Sequence, residues 1–187
     1  MEWEPGSQLI GDFVWVGFDS EVVVTDRVMG ELLTTSRGFE RGAVEMVDEH
    51  PRSGKRSQPR VSLPYEGPAI SEMWVTAWVD IDRERSTASL QSSCGHCGTE
   101  LWNLSGAEHW ESHYDLARGG LSREKVPRTE HGGIVINAGE LGQADVFRVR
   151  QFPAWVLCTS TVREFILDRG YSNVDFLEMG EALDAVA

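Results

Sequence analysis

The chain has 187 residues and carries 17 Lys and Arg against 30 Asp and Glu, a formal net charge of −13. Hydrophobic residues make up 41% of it and charged residues 25%, the composition of a globular domain that can bury its own core. The acidic balance argues against a general nucleic-acid binder, because neutralising phosphates requires a basic face. It favours a basic partner instead, since complementary fields accelerate association.

Three cysteines, Cys94, Cys97 and Cys158, are too few for a disulfide framework. The N-terminus is acidic and has no apolar run, so it lacks the pattern of a signal peptide. No segment approaches the ~18 apolar residues that a membrane-spanning helix requires. We therefore expect a cytoplasmic protein with reduced thiols and without a membrane partner.

The N-terminal stretch 1–48 predicts a unit of two strands, a helix and a third strand. β-branched and aromatic runs on either side of a turn at 17–20 predict the first two strands. Thr25 and Asp26 then supply a helix N-cap, and Gly38 ends the helix. The strands are predicted at 13–16, 21–24 and 43–47.

The C-terminal stretch 141–187 repeats this order. Its helix is capped by 159–161, with Thr161 and Glu164 spaced as a capping box, and Gly170 ends it. Its strands are predicted at 145–149, 154–158 and 173–179.

The two stretches align at an offset of 134 residues, which places Thr25 on Thr159. A duplicated ββαβ unit explains this alignment, and so does a chance match between two capped helices. We expect an α+β fold in a single domain, 1–187, with two ββαβ-like units built from mixed or antiparallel sheets and short helices. These units flank a central insert that carries the CxxC knuckle.

Between the two units, 49–63 is predicted to be a polar loop, and its basic cluster 52–56 is either a solvated loop or an anion site. The central insert covers 64–140. It contains a long predicted strand, 73–81, whose side chains alternate between two faces. One face consists of Val75, Ala77, Val79 and Ile81, and the other of Trp74, Thr76, Trp78 and Asp80.

The motif Cys94-Gly-His-Cys-Gly98 has three interpretations. A redox dithiol needs a strand before it and a helix that begins on it, whose dipole lowers the pKa of the first thiol. A zinc knuckle needs the glycine, which tolerates the positive φ that lets two thiolates converge on a metal. A metal-free tight turn with two small side chains needs neither a helix nor a metal.

The zinc interpretation requires two further ligands. His109 and His113 follow at His-x₃-His spacing on a predicted helical turn. The predicted zinc site consists of Cys94, Cys97, His109 and His113. The alternative ligands are His131 and Cys158.

The sequence contains no nucleophile elbow, zinc-protease, Walker or dinucleotide motif. The run 108–113 brings acids and imidazoles together, which suits metal or acid–base chemistry and equally suits a polar helix face. We therefore predict a protein that is not an enzyme. Two acidic clusters, 80–84 and 178–181, are candidates for its contact surface.

Several segments together resemble a known family, namely 11–15, 73–87, 94–98, 145–159 and 170–179. In these segments the chain is similar to the double-CXXCG motif proteins of myxobacteria, a multi-copy family assigned in part as immunity proteins of the Sit toxin type. The resemblance implies a protein that neutralises a cognate protein toxin by occlusion and that has no catalytic residues. The net charge of −13 suits a basic toxin, such as a nuclease.

In one respect the chain departs from this family, whose members carry two Cys-x-x-Cys-Gly motifs. This sequence contains only the second, so a four-cysteine metal site shared by both motifs cannot form within it. The remaining ligands of a metal would then be His109 and His113. Two alternative functions stay open: a regulatory module with a structural zinc knuckle, and a metal-dependent or thiol-dependent enzyme that uses Cys94 and Cys97 with Glu108 and these histidines.

Overall fold

The computed structural model describes residues 11–15, 21–45, 67–115 and 119–184. It contains 43% strand and 16% helix in several small sheets, which confirms the α+β class. The predicted turn at 17–20 and the polar loop at 49–63 with its basic cluster lie outside the described residues. The elements are β1 (Phe13–Trp15), β2 (Val22–Thr25), α1 (Asp26–Thr35), β3 (Phe39–Gly42), β4 (Ile70–Val75), β5 (Trp78–Val79), β6 (Ala88–Ser93), β7 (Glu100–Leu104), β8 (His109–Asp115), β9 (Gly120–Val126), β10 (Ile134–Asn137), α2 (Ala138–Leu141), β11 (Val146–Val149), β12 (Phe152–Cys158), α3 (Ser160–Asp168) and β13 (Gly180–Leu183).

The first core is formed by a four-stranded antiparallel sheet, in the order β1-β2-β4-β3, and by the helices α1 and α3. Helix α1 is stable here because Val28, Met29 and Leu32 share one face and are fully buried, each contributing about 1.5–3 kcal/mol. Val162 and Ile166 of α3 enter the same core. Helix α3 thus joins the C-terminal stretch to the N-terminal sheet.

The second core is formed by the sheet β12-β11-β5 and by β10, which pairs in parallel with β13. Its buried residues are Val79, Ile81, Ile134, Ile136, Phe147, Val149 and Phe152. Ala88, Trp102 and Leu104, from the hairpin of β6 and β7, pack against this core. The hairpin is therefore held at its base, while its residues 89–101 are exposed.

The strand predicted at 73–81 is divided into two strands that belong to different sheets. β4 ends at Val75 because the next two backbone N–H groups both donate to the Gly38 carbonyl oxygen, at 2.9 and 3.1 Å. β5 then pairs in parallel with β11. The predicted alternation is confirmed, with Val75, Val79 and Ile81 buried and Trp74 and Trp78 exposed. The segment therefore leads from the first core into the second.

Gly38 occupies this junction with a φ of +101°. A Cβ at this position would collide with the Val146 carbonyl oxygen, so the site needs both the unusual backbone conformation and the absence of a side chain. Gly170 follows α3 with a φ of +62°, but a Cβ there would meet no atom within 4 Å. The two glycines that were predicted to end the helices therefore differ in how tightly they are enclosed.

The starts of the two long helices match each other closely. Thr25 and Thr159 are both N-cap residues in an extended conformation, and neither makes a side-chain capping bond. Their backbone N–H groups donate to the carbonyl oxygens of Asp12 and Asp145, at 3.0 and 2.9 Å. The capping box predicted at Thr161 is wrong, because this residue already lies inside α3.

The carboxylates of Asp12 and Asp145 also connect the N-terminal and C-terminal stretches to each other. The Asp12 carboxylate accepts the backbone N–H of Ser172 at 3.0 Å, from the loop after α3. The Asp145 carboxylate accepts the backbone N–H of Arg37 at 3.0 Å, from the loop after α1. Each aspartate directly precedes the first strand of its own stretch, so the two contacts are reciprocal.

The third strand of each predicted unit is wrong in position. In the first unit, the third strand is β3, which begins at Phe39 because this residue pairs with Val75. The strand was predicted at 43–47. Residues 43–45 are not in a strand, and residues 46–47 lie outside the described residues. The segment 173–179 is not a strand either, because its backbone groups bind the hairpin of β8 and β9. β13 follows it and pairs with β10, in a different sheet from β11 and β12.

Candidate functional site

The cysteine motif forms the turn of a β-hairpin, residues 88–104, which we call the knuckle hairpin. Its strands β6 and β7 are antiparallel, and the Cys94 N–H donates to the Thr99 carbonyl oxygen at 2.8 Å to close the turn. Gly98 has a φ of +72° and donates its N–H to the Cys94 carbonyl oxygen at 2.9 Å. The turn leads directly into β7 rather than into the helix whose dipole the redox interpretation requires.

The two thiols of the motif are exposed and lie beside each other. Hydrogen bonds from the Thr99 hydroxyl, 3.1 Å from the Cys97 sulfur, from the Thr99 backbone and from the Cys94 side chain lower the pKa of Cys97 to about 7. These contacts therefore favour the thiolate form of Cys97. The third thiol, Cys158, packs against the first core, and burial raises its pKa to about 11.

His109 and His113 lie on β8, so the helical turn predicted for them is wrong. Their spacing of four residues places them on one face of the strand, roughly 13 Å apart along it, which is too far for one zinc ion. Nδ1 of His109 is 3.0 Å from the Ala107 carbonyl oxygen. This contact, with a smaller effect of Glu111, raises the pKa of His109.

The structure does not bring the four predicted zinc ligands together. Cys94 and Cys97 form a pair at the turn of one hairpin, while His109 and His113 follow the strand of another. Within the described part of the chain, no group of three or more His, Cys, Asp or Glu side chains is arranged to hold a metal ion. The two alternative ligands do not complete the cysteine pair either.

Glu108 takes part in holding the fold. Its carboxylate accepts the backbone N–H of Glu178 at 2.8 Å, and its own N–H donates to the Glu178 carbonyl oxygen at 2.9 Å. The side chains of Glu178 and Glu181 form ion pairs with Arg128, at 2.9 and 3.2 Å. Both carboxylates of the acidic cluster at 178–181 are therefore paired within the chain, and they share one arginine.

The acidic cluster at 80–84 is paired in the same way. Asp80 lies 2.8 Å from Arg150, and Asp82 lies 2.7 Å from Arg85. The hydrogen bond from the Arg85 side chain is the main cause that lowers the pKa of Asp82. Both acidic clusters thus contribute to the fold more than to a free acidic surface.

The hairpin of β8 and β9, which we call the aromatic hairpin, carries a face that the sequence reasoning missed. In its register Tyr114 lies opposite Leu121 and Trp110 opposite Lys125, so these side chains share one face with Arg123. Tyr114 and Leu121 are 60% and 78% exposed. The available signal was the placement of Trp110 and Tyr114 among polar residues of β8, which the helical interpretation of its histidines concealed.

The base of the aromatic hairpin is anchored through Lys125. The Lys125 ammonium lies 5.1 Å from the Trp110 ring centroid and donates to the Phe176 carbonyl oxygen at 2.9 Å. Residues 111–114 are all exposed. Arg123, on the same face, has no ion-pair partner among the residues that the structure describes.

Comparisons with protein-family models, with curated proteins and with solved structures find no match to the chain. Among the described residues, no helix has the length and apolar character that crossing a membrane requires. Two features carry a functional argument: the exposed thiol pair of the knuckle hairpin and the exposed apolar face of the aromatic hairpin.

Proposed function

We propose that the chain is a binding protein that neutralises a cognate protein toxin by occlusion, and that the outer face of the aromatic hairpin contacts the toxin. The observation that carries this proposal is the cross-strand pair of Tyr114 and Leu121, two large side chains left 60% and 78% exposed. Adjacent exposed apolar groups on a folded chain are typical of interaction sites.

The composition of this face matches that of interface hot spots. Tyr, Trp and Arg dominate the binding energy of many protein interfaces, and Tyr114, Trp110 and Arg123 stand on one face of the hairpin. A partner that closes onto the outer end would remove Tyr114 and Leu121 from water. Burial of a side chain of this size contributes about 1.5–3 kcal/mol to the affinity.

The net charge acts over a longer range than this contact. A charge of −13 steers a basic toxin toward the chain and accelerates the encounter. The contact face itself is apolar and carries the exposed Arg123, so it suits an apolar patch bordered by a carboxylate on the toxin. The clusters 80–84 and 178–181 add little to this steering, because ion pairs with Arg85, Arg128 and Arg150 engage four of their carboxylates.

The resemblance to the double-CXXCG motif proteins supports the same function, since part of that family is assigned as immunity proteins.

The proposal includes an origin of the two ββαβ-like units by duplication of one ancestral unit. The matching N-cap residues and the reciprocal aspartate contacts support a duplication. The different pairing of β3 and β13 would then reflect divergence between the copies.

The test is the protection of cells that produce the toxin encoded beside this protein. We expect the wild-type chain to restore growth and the double variant Tyr114→Ser with Leu121→Ser to fail, because both anchors of the contact are lost. The matched control is Leu90→Ser with Leu101→Ser, which alters two exposed leucines on the knuckle hairpin.

Both double variants should unfold at the wild-type temperature, since substitutions of exposed side chains change stability by about 0.5 kcal/mol or less. If the folded wild-type chain neither binds the toxin nor protects the cells, the proposed function is wrong. If the two double variants protect equally well, the aromatic hairpin is not the contact surface.

A further inference from the structure

We infer that the knuckle hairpin joins two copies of this chain through one zinc ion, which Cys94 and Cys97 of each copy bind together. The inference goes beyond toxin binding and does not depend on it. It rests on the geometry of the turn, on the location of every other cysteine, and on the charge of the hairpin.

The turn presents two of the four ligands that a structural zinc site needs. Cys94 and Cys97 lie side by side, exposed, at the tip of an antiparallel hairpin. The positive φ of Gly98 and the hydrogen bond between Cys94 and Thr99 hold the backbone in this compact turn. A structural zinc ion takes four ligands in a tetrahedron, so this pair forms half of a site.

The other half does not come from the described part of the same chain. The sequence holds only one further cysteine, Cys158, which packs against the first core. His109 and His113 follow a strand of the other hairpin, and no third His, Cys, Asp or Glu joins the pair among the described residues. A second copy supplies an identical pair, and a two-fold axis through the metal produces the tetrahedral set of four thiolates.

The knuckle hairpin is also the place where two acidic chains can approach with little repulsion. Within 88–104 the only formally charged side chain is Glu100, and Arg83 lies 3.8 Å from it. The rest of the chain carries nearly all of the net charge of −13, which disfavours contact elsewhere.

The reaction is a simple exchange of protons for metal. Four thiols and one Zn²⁺ give a tetrathiolate site with a net charge of −2, and four protons pass to the solvent. No oxidant or reductant takes part. Because protons are released, zinc binding strengthens as the pH rises.

The test is a zinc titration of the reduced, full-length protein, followed by its mass in solution. We expect saturation at one zinc per two chains, a doubling of the 20.9 kDa chain mass, and reversal by a chelator. Titration with Co²⁺ should give the absorption of a tetrahedral site with four thiolates. This experiment on the wild-type chain needs no variant, so a failure to fold cannot obscure it.

Two variants complete the test. Cys94→Ser with Cys97→Ser should remain a monomer that binds no zinc, while the matched control Cys158→Ser should still form the zinc-dependent dimer. One zinc per monomer, a dimer that survives the chelator, a dimer that a reductant dissociates, or the absence of zinc binding would each overturn the inference. Toxin binding by the Cys94→Ser with Cys97→Ser variant reports on the proposed function separately.

Discussion

Two glycines that follow the long helices show how strongly the role of a single residue depends on its surroundings. Gly38 and Gly170 both have positive φ and both follow a long helix. Gly38 lies at the junction of the two cores, against the Val146 carbonyl oxygen, whereas a Cβ at Gly170 would point into open space. Their sequence context alone does not distinguish them, since both read as helix ends.

We therefore expect the same substitution to have different costs at the two positions. Gly170→Ala should lower the free energy of unfolding by about 1 kcal/mol, the cost of a left-handed conformation for a residue with a side chain. Gly38→Ala adds a steric collision with backbone and should cost on the order of 3 kcal/mol or more. Urea denaturation measures both values, and equal losses would contradict the enclosed junction.

The thiols provide a second contrast between residues. The pKa of Cys97 is lowered to about 7 by its hydrogen bonds, chiefly from the Thr99 side chain, while burial raises the pKa of Cys158 to about 11. With a chelator present, iodoacetamide should modify Cys97 at a rate that rises between pH 6 and 8 and then levels off, because the thiolate is the nucleophile. Cys158 should stay unmodified in the folded chain.

Thr99→Val tests the cause of this reactivity. Without the hydroxyl, the pKa of Cys97 should rise toward that of an ordinary thiol, so its rate profile should move to higher pH. Peptide mass spectrometry after timed alkylation resolves each cysteine. An unchanged profile in the variant, or equal rates for Cys97 and Cys158, would show that the turn does not activate the thiol.

Among the helices and strands, the sequence predicts correctly those segments whose structure follows from the residues within the segment itself. Helix α1 follows from its N-cap residue Thr25 and the spacing of its buried residues, but it ends at Thr35, before the predicted stop at Gly38. The faces of 73–81 are predicted correctly, because alternation survives even where the strand divides between two sheets. The division itself depends on hydrogen bonds to Gly38, a distant residue, and no local pattern contains it.

Elements whose structure depends on contacts with a distant segment of the chain are predicted less well. The pairing of β8 with β9 makes a strand of 109–115, where His-x₃-His spacing suggested a helix. The segment 173–179 has the composition of a strand, but contacts with Glu108 and Lys125 use its backbone groups. The candidate sites show the same contrast. The turn at the cysteines can be predicted from the Cys-x-x-Cys-Gly motif. The exposed face of the aromatic hairpin depends on the pairing register of β8 with β9, which the sequence alone does not reveal.

The contact between Asp12 and the loop after α3 links two elements far apart in sequence. Burial on its own would raise the pKa of Asp12, but hydrogen bonds from Ser172 and Arg27 outweigh it and lower that pKa. The folded pKa thus lies below the unfolded one, so the stabilisation is present at neutral pH. It is lost as the pH falls through the lowered pKa.

Asp12→Ala should therefore lower the free energy of unfolding by about 2 kcal/mol at pH 7, as expected for hydrogen bonds to a charged group. The difference from the wild type should persist down to about pH 5 and shrink below about pH 4, where the carboxylate is protonated in the unfolded chain. The matched control is Asp168→Ala, an exposed carboxylate at the end of α3. A difference that is independent of pH would contradict the role of the ionised group.

The whole molecule combines a strongly acidic field with two hairpins of little net charge, since the knuckle hairpin holds one charged side chain and the charges within 109–126 cancel. The first core holds the two long helices, and the second core holds the base of the knuckle hairpin. The acidic clusters that the sequence suggests as contact surfaces form ion pairs within the chain. In the proposed complex, the net charge acts at a distance and apolar side chains make the contact. In such a complex, the net charge would control the association rate, and the apolar contact would control the dissociation rate.

Binding kinetics should show that separation directly. The association rate with a basic toxin should fall about tenfold or more when the salt is raised from low to above physiological concentration, because the field of the chain is screened. The dissociation rate should change little, since apolar contacts are insensitive to salt. A dissociation rate that rises with salt as steeply as the association rate falls would place ion pairs at the contact itself.

The affinity of the purified chain for the product of the neighbouring gene, the candidate toxin, tests the role of the aromatic hairpin most directly. With Tyr114→Ser and Leu121→Ser, we expect the dissociation constant to rise at least about 30-fold, as for the loss of hot-spot residues. With Leu90→Ser and Leu101→Ser, we expect it to stay within about threefold of the wild-type value. Equal affinities of the wild type and the Tyr114/Leu121 variant, with all three proteins folded, would contradict the assignment of this hairpin as the contact surface.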